Sequence, residues 1–296
     1  MDWQMEYTLF LKSRVDHGRK LAALSIASHQ QTARTLANWY ASQYKEPLTP
    51  SLLTNYDLLA FRQWSINIQR VAASTWNVRR AGLALLAEWL GDAHLMDGVA
   101  LQEMQEPAIR WLDDTEYGRL VRALERLPKQ AVTALEHQRA IRDRAAISLM
   151  LFAGLRVSEV AGLRRCDIEI FDRSGHVTVH NGKGGKDGKV PLSLAARRAL
   201  SAWLDIHTGE PVFDITTRTI QRTVTQIGAQ TGITSLSCHD LRHTFAKRTL
   251  DGKNSTDGRP VSIGIVQKML RHKRIDTTQR YTTPSWDDMT EAVGGM

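Results

Sequence analysis

The sequence predicts a mainly α protein of two domains, the first all helical and the second an α+β unit with one small antiparallel sheet. Three observations predict it. The first third repeats aromatic and leucine residues at three- and four-residue intervals. Convincing β-rich alternation is confined to residues 166–193. Between them, "GDAHLMDGVALQEMQEP" loses periodicity and ends at Pro107. The domains are therefore expected at 1–106, linker included, and 107–296.

In the first domain "QQTARTLANWYASQY", "TPSLLTNYDLLAFRQWSINIQR" and "ASTWNVRRAGLALLAEWL" read as helices. Thr49 or Ser51 beside Pro50, and Ser74 with Thr75, are the expected helix starts. The second domain opens on a helix over "WLDDTEYGRLVRALERL", N-capped by Asp113 or Asp114, and continues with a buried helix at 140–153. "CDIEIF" and "HVTVH" then alternate, and "KVPLS" follows the turn "NGKGGKDG", so three strands are expected. Helices resume at Leu194.

At 296 residues and 42% hydrophobic content the chain suits a globular protein of two domains. Its charge is uneven. There are 39 Lys+Arg against 31 Asp+Glu, and residues 1–106 hold ten of each sign, so the whole net charge of +8 lies beyond them. A basic unit beside a neutral one points to a polyanionic partner, nucleic acid above all, although such charge also serves solubility. Cys166 and Cys238, far apart and outside any C-x-x-C spacing, fit a reducing cytoplasm and argue against a disulfide framework. The amino terminus lacks the layout of a signal peptide. The longest apolar run, "AAISLMLFAGL", is too short to cross a bilayer. A cytoplasmic chain without a membrane partner is expected.

Four stretches carry chemistry. In "CHDLRHTFAKR", residues 238–248, His239, Arg242 and His243 share one helix face. A zinc helix needs glutamate after the first histidine. Asp240 stands there, and no third ligand follows at a metal-like spacing, so no metal is expected. The turn "NGKGGKDG" lacks the G-x-x-x-x-G-K-[ST] of a phosphate loop; its lysines are either solvated or presented to a DNA backbone. In "AGLRVSEVAGL", Arg156 lies between apolar segments and requires an anion, either Glu159 three residues on or a phosphate. In "MLRHKRIDTTQRYTTP", His272 and Tyr281 are nine residues apart and would diverge on one helix. A break at "KRIDTT", with a new start at Asp276 or Thr277, would let both face one site.

Taken together, Arg156 in "GLRVSE", Lys183 in "GKGGK", His239 and Arg242 in "HDLRHTFA", His272 in "LRH" and Tyr281 in "TTQRY" resemble, in order, the active-site motifs of tyrosine site-specific recombinases, the phage-type integrases and Xer-like enzymes. The resemblance runs from about Trp111 to Tyr281, and more loosely over the first domain. It implies a tyrosine recombinase fold, with a helical core-binding domain and a catalytic domain clamping double-stranded DNA at a specific site. It implies phosphoryl transfer without metal or cofactor: Tyr281 attacks a backbone phosphate, giving a 3′-phosphotyrosyl link and a free 5′-hydroxyl. Arg156 and Arg242 would meet the charge of the five-coordinate phosphorane. Lys183, with Lys186 and Lys189 as competitors, would protonate the departing oxygen. His239 would accept the tyrosine proton or orient the phosphate, and His272 would donate to a phosphate oxygen. His243 has only a supporting place.

The same resemblance implies a homotetramer on DNA and a Holliday junction. Arg79, Arg80 and Arg34 in the first domain, and Arg218 and Arg222 in "TRTIQR", are the candidate DNA contacts. Two departures stand out: Arg271 where the family usually has glycine, altering the turn or adding a DNA contact, and the long connection "TLDGKNSTDGRPVSIG". They favour a mobile-element integrase or transposon-borne recombinase over a chromosome-dimer resolvase. The alternatives are a type IB topoisomerase-like nicking-closing enzyme and a catalytically silent DNA-binding regulator of the same fold.

Overall fold

The computed structural model describes residues 2–16, 19–104, 109–180, 187–255 and 257–271. The chain forms two compact units, residues 1–107 and 108–296. The architecture is mainly helical, with a small three-stranded antiparallel sheet in the second unit. No helix among the described residues is long and apolar enough to cross a membrane.

In the first unit helix α1 (Trp3–Ser13) is followed by a two-residue ladder of β1 (Val15–Asp16) and β2 (Arg19–Lys20). Helices α2 (Ala23–Tyr44), α3 (Asn55–Gln63) and α4 (Ala73–Leu90) complete it, with a π-helical turn at Trp64–Ile68. Helices α2, α3 and α4 match the periodic segments, whereas α1 has no counterpart among them. Tyr7, Leu11, Leu36, Leu58, Phe61, Trp76 and Leu83 are fully buried in one core. The Tyr7 hydroxyl donates to the Gly82 carbonyl at 3.1 Å, which fastens α1 to α4.

Two expected helix starts are corrected. Helix α3 is capped by Thr54, whose hydroxyl accepts from the Asp57 amide while the Asp57 carboxylate accepts from the Thr54 amide. Thr49 instead precedes a single 3₁₀ turn, Pro50–Leu52, and Ser51 lies inside it. Only Thr54 has an acid three residues on, and that acid completes a reciprocal cap. Helix α4 starts after Ala72 without a side-chain cap, because Ser74 and Thr75 have no acid at that spacing. The aperiodic stretch after α4 is packed. Asn55 donates to the carbonyls of Leu95 and Asp97, Trp76 to Ala100, and Arg80 to Val99, while Asn77 and Gln102 bond each other.

In the second unit α5 (Asp114–Arg126) is capped by Asp113 with Glu116, and α6 (Ala134–Ala153) by Thr133 with Glu136. The inner half of α6, Ala145–Leu151, is buried on every side. It ends at Gly154, whose left-handed φ of +67° turns the chain into the short helix α7 (Val157–Ala161). Strands β3 (Ile168–Ile170), β4 (Gly175–Val179) and β5 (Gly188–Pro191) form the sheet in the order β3-β4-β5, all antiparallel, with Ile168 opposite Val177 and Val177 opposite Val190. Val177, Val179 and Val190 point into the core, as their alternation requires. Helix α8 (Leu194–Leu204) packs along α6. Helix α9 (Thr217–Gln230) buries Ile220, Val224 and Ile227 and exposes the opposite face. Helix α10 (Cys238–Leu250) carries a Ser237–Asp240 cap, worth about 1 kcal/mol. Helix α11 (Ile263–Leu270) packs on it through Phe245, Ala246, Val266 and Leu270.

Candidate active site

The glycine at 154 decides where Arg156 lies. The amides of Gly154 and Leu155 bond back to the carbonyls of Met150 and Leu149, closing the end of α6. Arg156 is thereby delivered as the N-cap of α7. Its backbone amide donates to Glu159 Oε2 at 2.7 Å and its Nη1 to Glu159 Oε1 at 2.8 Å, so the ion pair expected from the spacing is formed. The Arg156 side chain keeps 39% of its surface exposed.

Arg242 approaches the same place from α10. It is buried, and its guanidinium donates to the carbonyls of Gly154, the residue that caps α6, and Leu270, the last residue of α11. Helix C-termini carry partial negative charge, so a cation between two of them is favoured. Nη1 of Arg242 also lies 3.9 Å from Glu159 Oε2. Arg271, the residue after α11, reaches the same carboxylate at 2.5 Å. Burial works to raise the pKa of Glu159, but the Arg271 charge and bond, with the Arg156 amide and charge, hold it below the usual carboxylate value. The site is therefore one ionised carboxylate among three guanidinium groups.

His239 is exposed on α10, one turn before the half-buried His243, with ring centroids 6.3 Å apart. Arg156, Arg242 and Glu159 thus converge, and His239 sits one turn from Arg242 on the same helix. Lys183, Lys186, His272 and Tyr281 lie outside the described residues, as do Asp276 and Thr277. Lys189 is described: it is two-thirds exposed on β5, 3.9 Å from Glu169 of β3. Among the described residues no group of three or more His, Cys, Asp or Glu side chains comes together to hold a metal.

The candidate DNA contacts divide. Arg218 and Arg222 are exposed one turn apart on α9. Arg79 is half-buried and donates to Ser65 Oγ and Gln69 Oε1, and burial lowers its pKa from the usual guanidinium value. Arg80 Nε bonds the Val99 carbonyl at 2.7 Å. Both arginines hold the first unit together.

Three features escaped sequence reasoning. Glu159 serves Arg271 and Arg242 as well as Arg156; the signal was an acid three residues after a helix N-cap. Arg271 turns inward, which no local pattern announces. His180, at the end of β4, bonds Asp167 through Nε2 at 2.7 Å and Asp187 through Nδ1 at 2.9 Å.

A family model described as the phage integrase family matches residues 110–286, more than half of the chain. The chain belongs to the phage integrase family. Among curated relatives of this integrase-family chain, tyrosine recombinase XerC of Vibrio parahaemolyticus is 32% identical over 208 residues, 66% of this chain and 61% of that protein. XerC of Corynebacterium glutamicum is 29% identical over 280 residues, 88% of this chain and 85% of that one. The match thus spans less than two thirds of the Vibrio protein. Solved integrase-family folds match across nearly the whole chain. A XerH recombinase bound to difH substrate gives a TM-score of 0.67 at 17% identity, covering 92% of this chain and 80% of that one. Lambda integrase bound to DNA gives 0.65 at 18% identity, covering 96% of each. The fold is that of the tyrosine recombinases, as the motifs implied.

Proposed function

We propose that this chain is a site-specific DNA recombinase that cuts and rejoins double-stranded DNA through a 3′-phosphotyrosyl intermediate and a Holliday junction. The observation that carries the reading is the meeting of Arg156 and Arg242 at one carboxylate, with Arg242 held by two helix ends. Two fixed guanidinium groups suit a phosphorane, since each can grip phosphate oxygens through two N–H groups and neither deprotonates. Charge fixed before the reaction costs little reorganisation when the transition state forms. The basic balance of residues 107–296 and the DNA-bound solved relatives support a DNA partner.

In this mechanism the Tyr281 oxygen attacks phosphorus and the 5′-oxygen leaves with a proton from Lys183. His239 accepts the phenolic proton or orients the phosphate, and His272 donates to a phosphate oxygen. A 5′-hydroxyl from a second strand reverses the step, so bond energy is kept in the phosphotyrosine and no nucleotide cofactor or metal enters. Residues 1–107 act as the core-binding unit and 108–296 as the catalytic unit, with four copies assembled on DNA. Arg218 and Arg222 are the DNA contacts proposed for the catalytic unit. A mobile-element role, integrase or transposon type, fits the long 249–264 connection and Arg271.

The test uses nicked duplexes tiled across the DNA flanking the gene, in excess EDTA. Wild type should become covalently attached to one duplex, and Tyr281→Phe should not. Attachment by the Tyr281→Phe chain, or loss of attachment on chelation, refutes the proposal. Relaxation of supercoils without joined recombinant products would assign a nicking-closing enzyme instead. DNA binding without any attachment would assign a silent regulator. A pair of core sites bracketing the gene would identify a mobile element.

A further inference from the structure

Arg271 adopts φ +54°, the left-handed conformation that favours glycine, immediately after α11. Such a conformation persists in other residues where the surroundings over-determine it. Here they do. The side chain is 12% exposed, and Nη2 lies 2.5 Å from Glu159 Oε2. Nη1 donates to the Met269 carbonyl at 3.3 Å. The methylene stem lies over Gly188, the first residue of β5, so closely that a Cβ added there would fall 2.6 Å from Arg271 Cδ.

These contacts join three segments. Glu159 belongs to α7 and holds Arg156. Gly188 begins the strand that leaves the turn containing Lys183. Leu270, the neighbour of Arg271, gives its carbonyl to Arg242. A guanidinium this enclosed is not a DNA contact. We propose that Arg271 is a positioning residue for strand cleavage: it fixes the Glu159 carboxylate that aligns Arg156, and it sets the distance of the start of β5 from that carboxylate, with Gly188 as its matched partner. The inference rests on the recombinase reading above and adds to it a residue that touches neither DNA nor the reacting atoms.

The experiment uses the full chain and the nicked duplex that wild type attacks, and measures the first-order rate of covalent attachment at saturating DNA. Arg271→Gly gives the backbone an easier residue but removes the tie. It should slow attachment about tenfold or more while DNA affinity stays within about twofold, and Arg271→Lys should recover part of the rate. In the Glu159→Gln background the further change Arg271→Gly should cost less than about twofold, because the tie is already weakened. Gly188→Ala should slow the chain with Arg271 about tenfold and the chain with Arg271→Gly less than about twofold. An unchanged attachment rate in Arg271→Gly, or a Gly188→Ala penalty independent of position 271, overturns this inference alone. Absence of attachment by wild type on every duplex overturns the recombinase reading and this inference with it.

Discussion

His180 and Asp187 face each other at the mouth of the β4–β5 turn, Nδ1 2.9 Å from Oδ2, while Nε2 of the same ring meets Asp167 at 2.7 Å. A neutral imidazole has one N–H, so only the protonated ring donates to both carboxylates. The bonds to Asp187 and then to Asp167 raise the pKa of His180 above its ordinary value. Asp167 is further held by the Arg164 amide and lies 3.7 Å from the Cys166 thiol. Because the folded-state pKa is raised, the stabilisation is fully present below the unfolded value near 6.5 and is lost as pH rises through the folded one. The melting-temperature gap between wild type and His180→Ala should therefore be widest below about pH 6.5 and shrink as pH rises above it. A gap that ignores pH would mean that the ring acts by packing alone.

Arg242→Lys keeps the charge and loses the fork. A single ammonium cannot serve the Gly154 and Leu270 carbonyls with a rigid planar geometry and still face a phosphate. DNA attachment should fall about 10²- to 10³-fold, the scale of losing one preorganised donor to developing charge. Arg242→Ala also leaves the carbonyls of Gly154 and Leu270 without this donor, and denaturant melts should show a loss of about 1–3 kcal/mol. Attachment by Arg242→Lys at the wild-type rate would remove this arginine from the mechanism.

Gly154→Ala tests how the chain turns from α6 to Arg156. The left-handed φ of +67° costs a non-glycine residue about 1–2 kcal/mol. The new methyl would also lie 2.5 Å from Phe245 Cδ1, forcing a shift worth about 1–3 kcal/mol more. Chemical denaturation should show a total of about 2–5 kcal/mol, and DNA attachment should fall too, since the Gly154 carbonyl is one of the two that hold Arg242.

Arg248 of α10 stacks over the ring of Tyr117 in α5, 3.7 Å from its centroid, and pairs with Asp114 at 2.5 Å. Lys253 joins Asp114 from the long connection after α10 at 2.6 Å. Bonds to Lys253 and then Arg248 lower the pKa of Asp114. Arg248→Ala should cost about 1–2 kcal/mol in denaturant melts, and Arg248→Lys should recover less than half, because an ammonium cannot stack as a guanidinium does. Full recovery with lysine would mean that charge alone holds α5 to α10.

What the sequence revealed depended on the range of the interaction that writes it. Strands β3, β4 and β5 were legible because alternation is local, and the α5 start because Asp113 and Glu116 form a cap within four residues. Thr54 carries the same signal with Asp57, whereas the proline at position 50 marks only the short 3₁₀ turn that follows Thr49. Helix α1 was missed: its buried Tyr7 and Leu11 belong to a core contributed largely by distant segments. The order of Arg156, His239 and Arg242 was readable as motifs. The meeting of Arg156 and Arg242 at Glu159 was not, since Arg242 and Arg271 reach that carboxylate only in the folded chain. The hydrogen bonds of Arg79 and Arg80 to Ser65, Gln69 and Val99 were not legible either, because no local pattern reveals those acceptors.

The guanidinium of Arg242 is clasped by carbonyls 88 residues upstream and 28 residues downstream. A fragment that lacks residue 154 or residue 270 lacks half of that clasp, and peeling off the last described helix would take away one of its two carbonyls. On the recombinase reading proposed above, a half-made chain would present its phosphate-gripping arginine one carbonyl short, so the grip would tighten only as the distant ends of the unit come together.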